Sequence, residues 1–121
     1  MLYNCLAVGA GGALGAVCRY CMGLIPALQR GAFPLHTLLI NFVGALLIGF
    51  VTGRAQGPEG MQAHWLLFLK VGVCGGFTTF STFSLEGLTL LEQGRGGLFG
   101  VYAAASVALC LLGVWLGKQL G

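Results

Sequence analysis

Ten consecutive residues, Gly75-Gly76-Phe77-Thr78-Thr79-Phe80-Ser81-Thr82-Phe83-Ser84, hold five hydroxyls, three phenylalanines and two glycines. Hydroxyls are neutral donors, and a phenylalanine ring has a positive edge and a negative face. Phe80 and Phe83 stand three positions apart in this run, so ring edges beside hydroxyls can receive a small anion that has shed its water. Phenylalanine in a membrane is ordinarily packing; its place among hydroxyls is what raises the functional reading. The surrounding segment is apolar enough to cross a bilayer. Polar, glycine-opened backbone at that depth is costly unless it lines a cavity or lies inside protein, and it marks ion and substrate sites.

Other neutral polar residues fall into stripes. Thr37 and Asn41 are four apart, as are Tyr102 and Ser106, so each pair shares one face of a helix. With Ser81, Thr82 and Ser84 they supply uncharged donors within apolar sequence. Asn41 reads equally as a donor on a route and as hydrogen-bonding glue between helices. Glu86 is either an entrance residue or a surface charge just beyond the run. Catalysis has little to work with: paired carboxylates, a P-loop and a G-x-S-x-G turn are all missing. His36 and His64 stand at helix entrances, where an interfacial role is the simpler reading. Of five cysteines, Cys18 and Cys21 make a lone C-x-x-C without a second pair, and the set reads as small apolar filler.

The elements that position these residues are membrane helices. The chain has 121 residues, 57% hydrophobic and only 7% charged, against roughly 25% charged in a soluble domain. A net charge of +3 is too thin for nucleic acid, which needs clustered Lys and Arg. A membrane helix takes about 20 apolar residues. Breaks at Pro26–Pro34, Arg54–Gln62 and Glu92–Gly96 leave spans of about Leu2–Leu24, Leu35–Gly53, Ala63–Leu91 and Gly97–Leu120. The first span lacks a basic leader and a cleavage site, and is expected to be a membrane helix itself. Residues 1–121 thus read as a single all-α, four-helix transmembrane domain.

The third span is too long for one straight crossing. It is expected to split into half-helices His64–Cys74 and Leu85–Leu91, with exposed backbone between, Gly75 being needed for its backbone freedom. The competing reading is one tilted helix whose hydroxyls bond back to its own carbonyls. Glycines at i, i+4 spacing (Gly11 and Gly15, Gly49 and Gly53, Gly113 and Gly117) predict close helix packing. If loops alternate sides, Arg54, Lys70 and Lys118 fall on one side of the membrane and Arg19, Arg30 and Arg95 on the other. Orientation follows Lys/Arg bias, so a balanced chain is free to insert both ways round.

Three motifs resemble the Fluc (CrcB) family of small fluoride channels. They are Gly11-Gly12-Ala13-Leu14-Gly15-Ala16 followed by Arg19-Tyr20, then Asn41-Phe42-Val43-Gly44, then Gly75 to Phe83. They run through nearly the whole chain in order. The resemblance implies a dual-topology, antiparallel homodimer in the cell (inner) membrane, exporting fluoride passively. It implies ion pathways lined by Asn41, Phe80 and Phe83 with hydroxyls of Ser81, Thr82 and Ser106, to which the polar stripes add Thr37 and Tyr102. It also implies a structural sodium ion at the dimer centre, held by backbone carbonyls of Gly75 and Thr78. A small multidrug transporter also has four helices and dual insertion, but its chemistry needs a first-helix carboxylate that this chain lacks. A non-transporting assembly subunit would explain the glycines and leave the hydroxyl–Phe run without a reason.

Overall fold

The computed structural model describes residues 1–121. Helix α1 (Leu2–Gly23) is followed by a 3₁₀ turn (Pro26–Gln29) and α2 (Leu35–Ala55). The third crossing comprises α3 (residues 63–77) and α4 (Phe80–Glu92), and α5 (Gly96–Leu120) is the last. Four segments are long and apolar enough to span a membrane, the third being the 30-residue stretch Ala63–Glu92. At 1.5 Å per residue it would be about 45 Å long if straight, against about 30 Å of hydrocarbon. A break is therefore a geometric need as well as a chemical one.

The break is narrower than the sequence suggests. Only Thr78 and Thr79 leave helical geometry, with ψ of 158° and 121°, and Phe80–Ser84 is helical. Two effects restart the helix early. Thr79 caps α4, its Oγ1 accepting the Thr82 N–H at 3.1 Å, as threonine does at an N-terminus. The hydroxyls of Ser84 and Thr89 turn back to the carbonyls of Phe80 and Leu85 at 3.0 and 2.9 Å. Hydroxyl-rich sequence is thus compatible with helix here, and half the competing reading holds. Gly75 sits at φ −64°, ψ −37°, ordinary helical geometry, so backbone freedom is not its purpose. Within α3, Leu67–Cys74 is π-helical, a widening often found near functional sites and one that no sequence pattern announced.

Two helix pairs carry the packing, α1 on α3 and α2 on α5. Both cross backbone to backbone at glycine. A Cβ on Gly72 would lie 2.8 Å from Gly11 Cα, one on Gly76 3.0 Å from Gly12 Cα, and one on Gly49 3.0 Å from Val114 Cα. The apolar core is small, formed by Leu38, Leu90 and Tyr102 with Phe33, Phe83 and Phe99 against them. It ties α4 to α2 and α5.

Gly72→Ala and Gly9→Ala make a matched pair. The first methyl enters the α1–α3 crossing and should cost about 1–3 kcal/mol through overpacking. The second meets nothing within 4 Å and should be neutral. Thermal unfolding of the detergent-solubilised protein measures both.

Candidate functional site

Broken helix ends must find partners for their backbone groups. The Cys74 carbonyl accepts both the N–H and the hydroxyl of Thr78, at 3.0 and 2.8 Å. Arg19 Nε, from α1, donates to the Gly76 carbonyl at 3.1 Å, setting a cation where the dipole of α3 is negative. Asn41, from α2, clamps the break itself: its Oδ1 accepts the Thr79 N–H at 2.8 Å and its Nδ2 donates to the Thr79 carbonyl at 3.0 Å. Gly44, one helical turn on, has no side chain because the Thr78 methyl group fills that space. An amide nitrogen carries two protons, so one Asn41 N–H remains for another acceptor.

The expected site residues divide among three cavities. A groove of about 440 Å³ is lined by Asn41, Gly75, Thr78, Phe80, Phe83 and Ser106, with Lys70 at its wall. Thr37 and Thr82 line a second cavity of about 410 Å³, together with Arg19 and His36. Thr79 belongs to both. A third, of about 570 Å³, contains Glu86, Arg95 and again His36. Tyr102 is fully buried and lines none of the three; its hydroxyl donates to Glu86 Oε1 at 3.2 Å. Ser81 also lies outside them, exposed on α4, with its hydroxyl 3.3 Å from that of Thr79.

The groove is built to meet an acceptor. Ser106 Oγ is buried and has no hydrogen-bond partner, an expensive state for a hydroxyl unless something arrives to bond it. The Phe80 and Phe83 rings pack 5.5 Å apart at 32°, and Phe83 packs 4.9 Å from Tyr102. Phe80 is 77% exposed, so its ring is anchored by one neighbour and otherwise free. The groove and the second cavity have no carboxylate in their linings, which include Lys70 and Arg19 respectively. Neither lining sets a fixed negative charge against an anion.

Gly75 and Thr78 share the groove. Carbonyls at the end of a broken helix are hard oxygen donors at the negative end of a dipole, a donor set that fits a small hard cation. Sequence reasoning did not foresee the Arg19–Gly76 bond, the two-point clamp at Thr79, or the approach of His36 to Glu86 at 3.7 Å. Cation placement gave no hint of the first, because Arg19 reads there only as a side-counting charge. The thiols are all free, with Cys18 and Cys21 exposed.

A hydrophobic multi-pass chain with a clamped helix break and an acid-free, mainly apolar groove that carries a few neutral donors is a membrane protein of the ion-conducting class. The family model described as CrcB-like protein, Camphor Resistance (CrcB), matches residues 6–118, and the chain belongs to that family. It is 48% identical over 117 residues to the fluoride-specific ion channel FluC of Rhodospirillum rubrum, covering 93% of this chain and 89% of the relative. It is similarly related to proteins of the same name from Rhizobium meliloti (46% identical, 95% and 93% covered) and Ruminiclostridium cellulolyticum (43%, 98% and 92%).

Asn41→Asp tests the clamp. The carboxylate keeps an acceptor for the Thr79 N–H but sets a second oxygen against the Thr79 carbonyl. The break should lose about 1–3 kcal/mol, the usual cost of an unsatisfied buried group. A lower unfolding temperature than wild type, accompanied by lost ion flux, is the expected result.

Proposed function

We propose that this chain is a fluoride-selective channel of the cell membrane, through which fluoride leaves passively down its electrochemical gradient. It is a conduit rather than an enzyme. The observation that carries the reading is the groove where the unpartnered Ser106 hydroxyl, the spare Asn41 N–H and the Phe80 and Phe83 rings converge. The names of the relatives point the same way. Fluoride is small, strongly hydrated and a strong acceptor, so its dehydration cost must be met by several donors at once. Neutral donors and ring edges do this without the deep trap that a buried ammonium would make, and binding weak enough to release is what conduction needs. Thr37 and Thr82 would carry the ion through the cavity next to the groove.

The working unit in this proposal is an antiparallel homodimer with one route per groove. A lone protomer leaves Gly75 and Phe80 uncovered on either side of the break and its Thr78 and Thr79 only half-buried, whereas lipid does not tolerate exposed irregular backbone. The same exposure leaves room for a neighbour at Gly75, where a Cβ would meet nothing within 4 Å. A second copy would cover this face and that of Ser81. Balanced cations allow the copy to be inverted. Sodium at the dimer centre, on carbonyls of Gly75 and Thr78, would supply the positive charge that offsets these converging oxygens.

Fluoride efflux from liposomes, with chloride as control, tests the function. Phe80→Ile and Phe83→Ile keep bulk but lose the polarised edge, a contact worth about 0.5–1.5 kcal/mol. Each should slow fluoride by up to roughly tenfold while the protein still elutes as an assembled species on gel filtration. Unchanged flux in both returns the rings to packing. For orientation, a variant keeping only the exposed Cys21 should react with an impermeant maleimide from both sides of the membrane, about half the copies on each. Labelling from one side alone excludes the antiparallel dimer.

A further inference from the structure

His36 is the residue shared by the 570 Å³ cavity that contains Glu86 and the 410 Å³ cavity that contains Arg19 and Thr37. Its Nε2 lies 3.7 Å from Glu86 Oε2 and 3.3 Å from the Thr37 hydroxyl. The His36 and Glu86 side chains are 27% and 22% exposed, so neither is sealed inside the protomer. Glu86 is the one carboxylate lining any of the three cavities. Its other oxygen accepts from Tyr102, which holds it in place. An anion moving from one of these cavities to the other past their shared residue would meet the Glu86 carboxylate beside a histidine.

We propose that His36 is a proton-operated control of charge at the mouth of the route. Protonated, its imidazolium offsets the Glu86 carboxylate and fluoride enters faster; neutral, it leaves that carboxylate facing the ion. This rests on the reading of the chain as a fluoride channel.

The remaining groups around His36 bear on the sign. Arg95 lines the Glu86 cavity, and Arg19 and Tyr20 line the other. Arg19 stays charged throughout, with Nε committed to the Gly76 carbonyl, and Arg95 likewise; guanidinium does not titrate in proteins. A histidine, by contrast, changes charge within the range from mildly acidic to neutral. Acidification therefore adds positive charge at this point through His36, and flux should rise as pH falls. Thr37 can either donate to the neutral ring or turn its hydroxyl to accept from the protonated one, since a hydroxyl does both.

The test measures fluoride efflux from liposomes at pH 5.5 to 8, after subtracting efflux from protein-free vesicles, because hydrogen fluoride crosses lipid unaided. Wild type should speed up at least roughly threefold toward the acid end, a modest share of what local charge does to ion entry. His36→Gln should stay at the slow rate across the range, and His36→Lys, permanently charged, at the fast one. High ionic strength should shrink the wild-type slope, which a purely structural histidine would not show. A wild-type slope retained in His36→Gln overturns the inference, as does a slow His36→Lys that elutes normally on gel filtration. Absence of fluoride-selective efflux from wild type at every pH would instead sink the channel reading itself.

Discussion

A helix that stops in hydrocarbon strands its backbone, and everything distinctive about this chain follows from how that debt is met. Two residues, Thr78 and Thr79, are extended in mid-membrane, where water is not on hand to bond them. Asn41 answers with one amide used twice, satisfying the N–H and the carbonyl of Thr79 together. Arg19 takes the Gly76 carbonyl, and Thr78 folds its hydroxyl onto Cys74. Without these side chains the break would revert to helix, and a continuous crossing of 30 residues would be too long for the bilayer.

The glycines serve the same constraint. For Asn41 to reach Thr79, α2 must lie close to the break, and Gly44 yields its side-chain volume to Thr78. For Arg19 to reach Gly76, α1 must run against α3 with almost no side chains between, which Gly11, Gly15, Gly72 and Gly76 permit. Small-residue packing is how membrane helices approach when water supplies no driving force. Here that close approach also sets donor positions, so packing and site are one arrangement.

What the sequence disclosed depended on the range of the interaction. Helix spans were legible because apolar length is a local property: the limits of all four fall within two residues of the expectation. The break was foreseen at the right segment but drawn too wide, from Gly75 to Ser84. Hydroxyl content alone does not separate a helix with back-bonded serines from open chain, and only the capping geometry at Thr79 does so. Asn41 was legible as a polar residue on the correct face, with its two possible roles undivided. The fold shows two of its bonds spent on the clamp, which is the interhelical role, and one N–H left over, which the proposed route would use. His36 and Glu86, fifty residues apart, meet only because α4, completing the third crossing, passes the start of α2.

The balance of charge in this architecture also has a physical logic. A fixed cation at the narrowest point would hold a small anion too tightly to pass, and a fixed acid would exclude it. The structure keeps acids off the Ser106–Phe80 lining and leaves it one cation, Lys70, exposed at the wall: Arg19 is spent on a backbone carbonyl, and Glu86 sits in another cavity, bonded to Tyr102. Besides Lys70, the groove offers a set of neutral dipoles: a hydroxyl without a partner, an amide proton and two ring edges. Each is weak alone, and on the proposed route their sum would be tuned by geometry more than by charge, so selectivity there would rest on how closely an ion fits among them. A small hard anion can approach all of them at short range. A larger one loses most of their attraction, because dipole interactions fall off more steeply with distance than charge–charge attraction does. On the proposed route, discrimination by size would therefore come from the same near-neutrality that allows release.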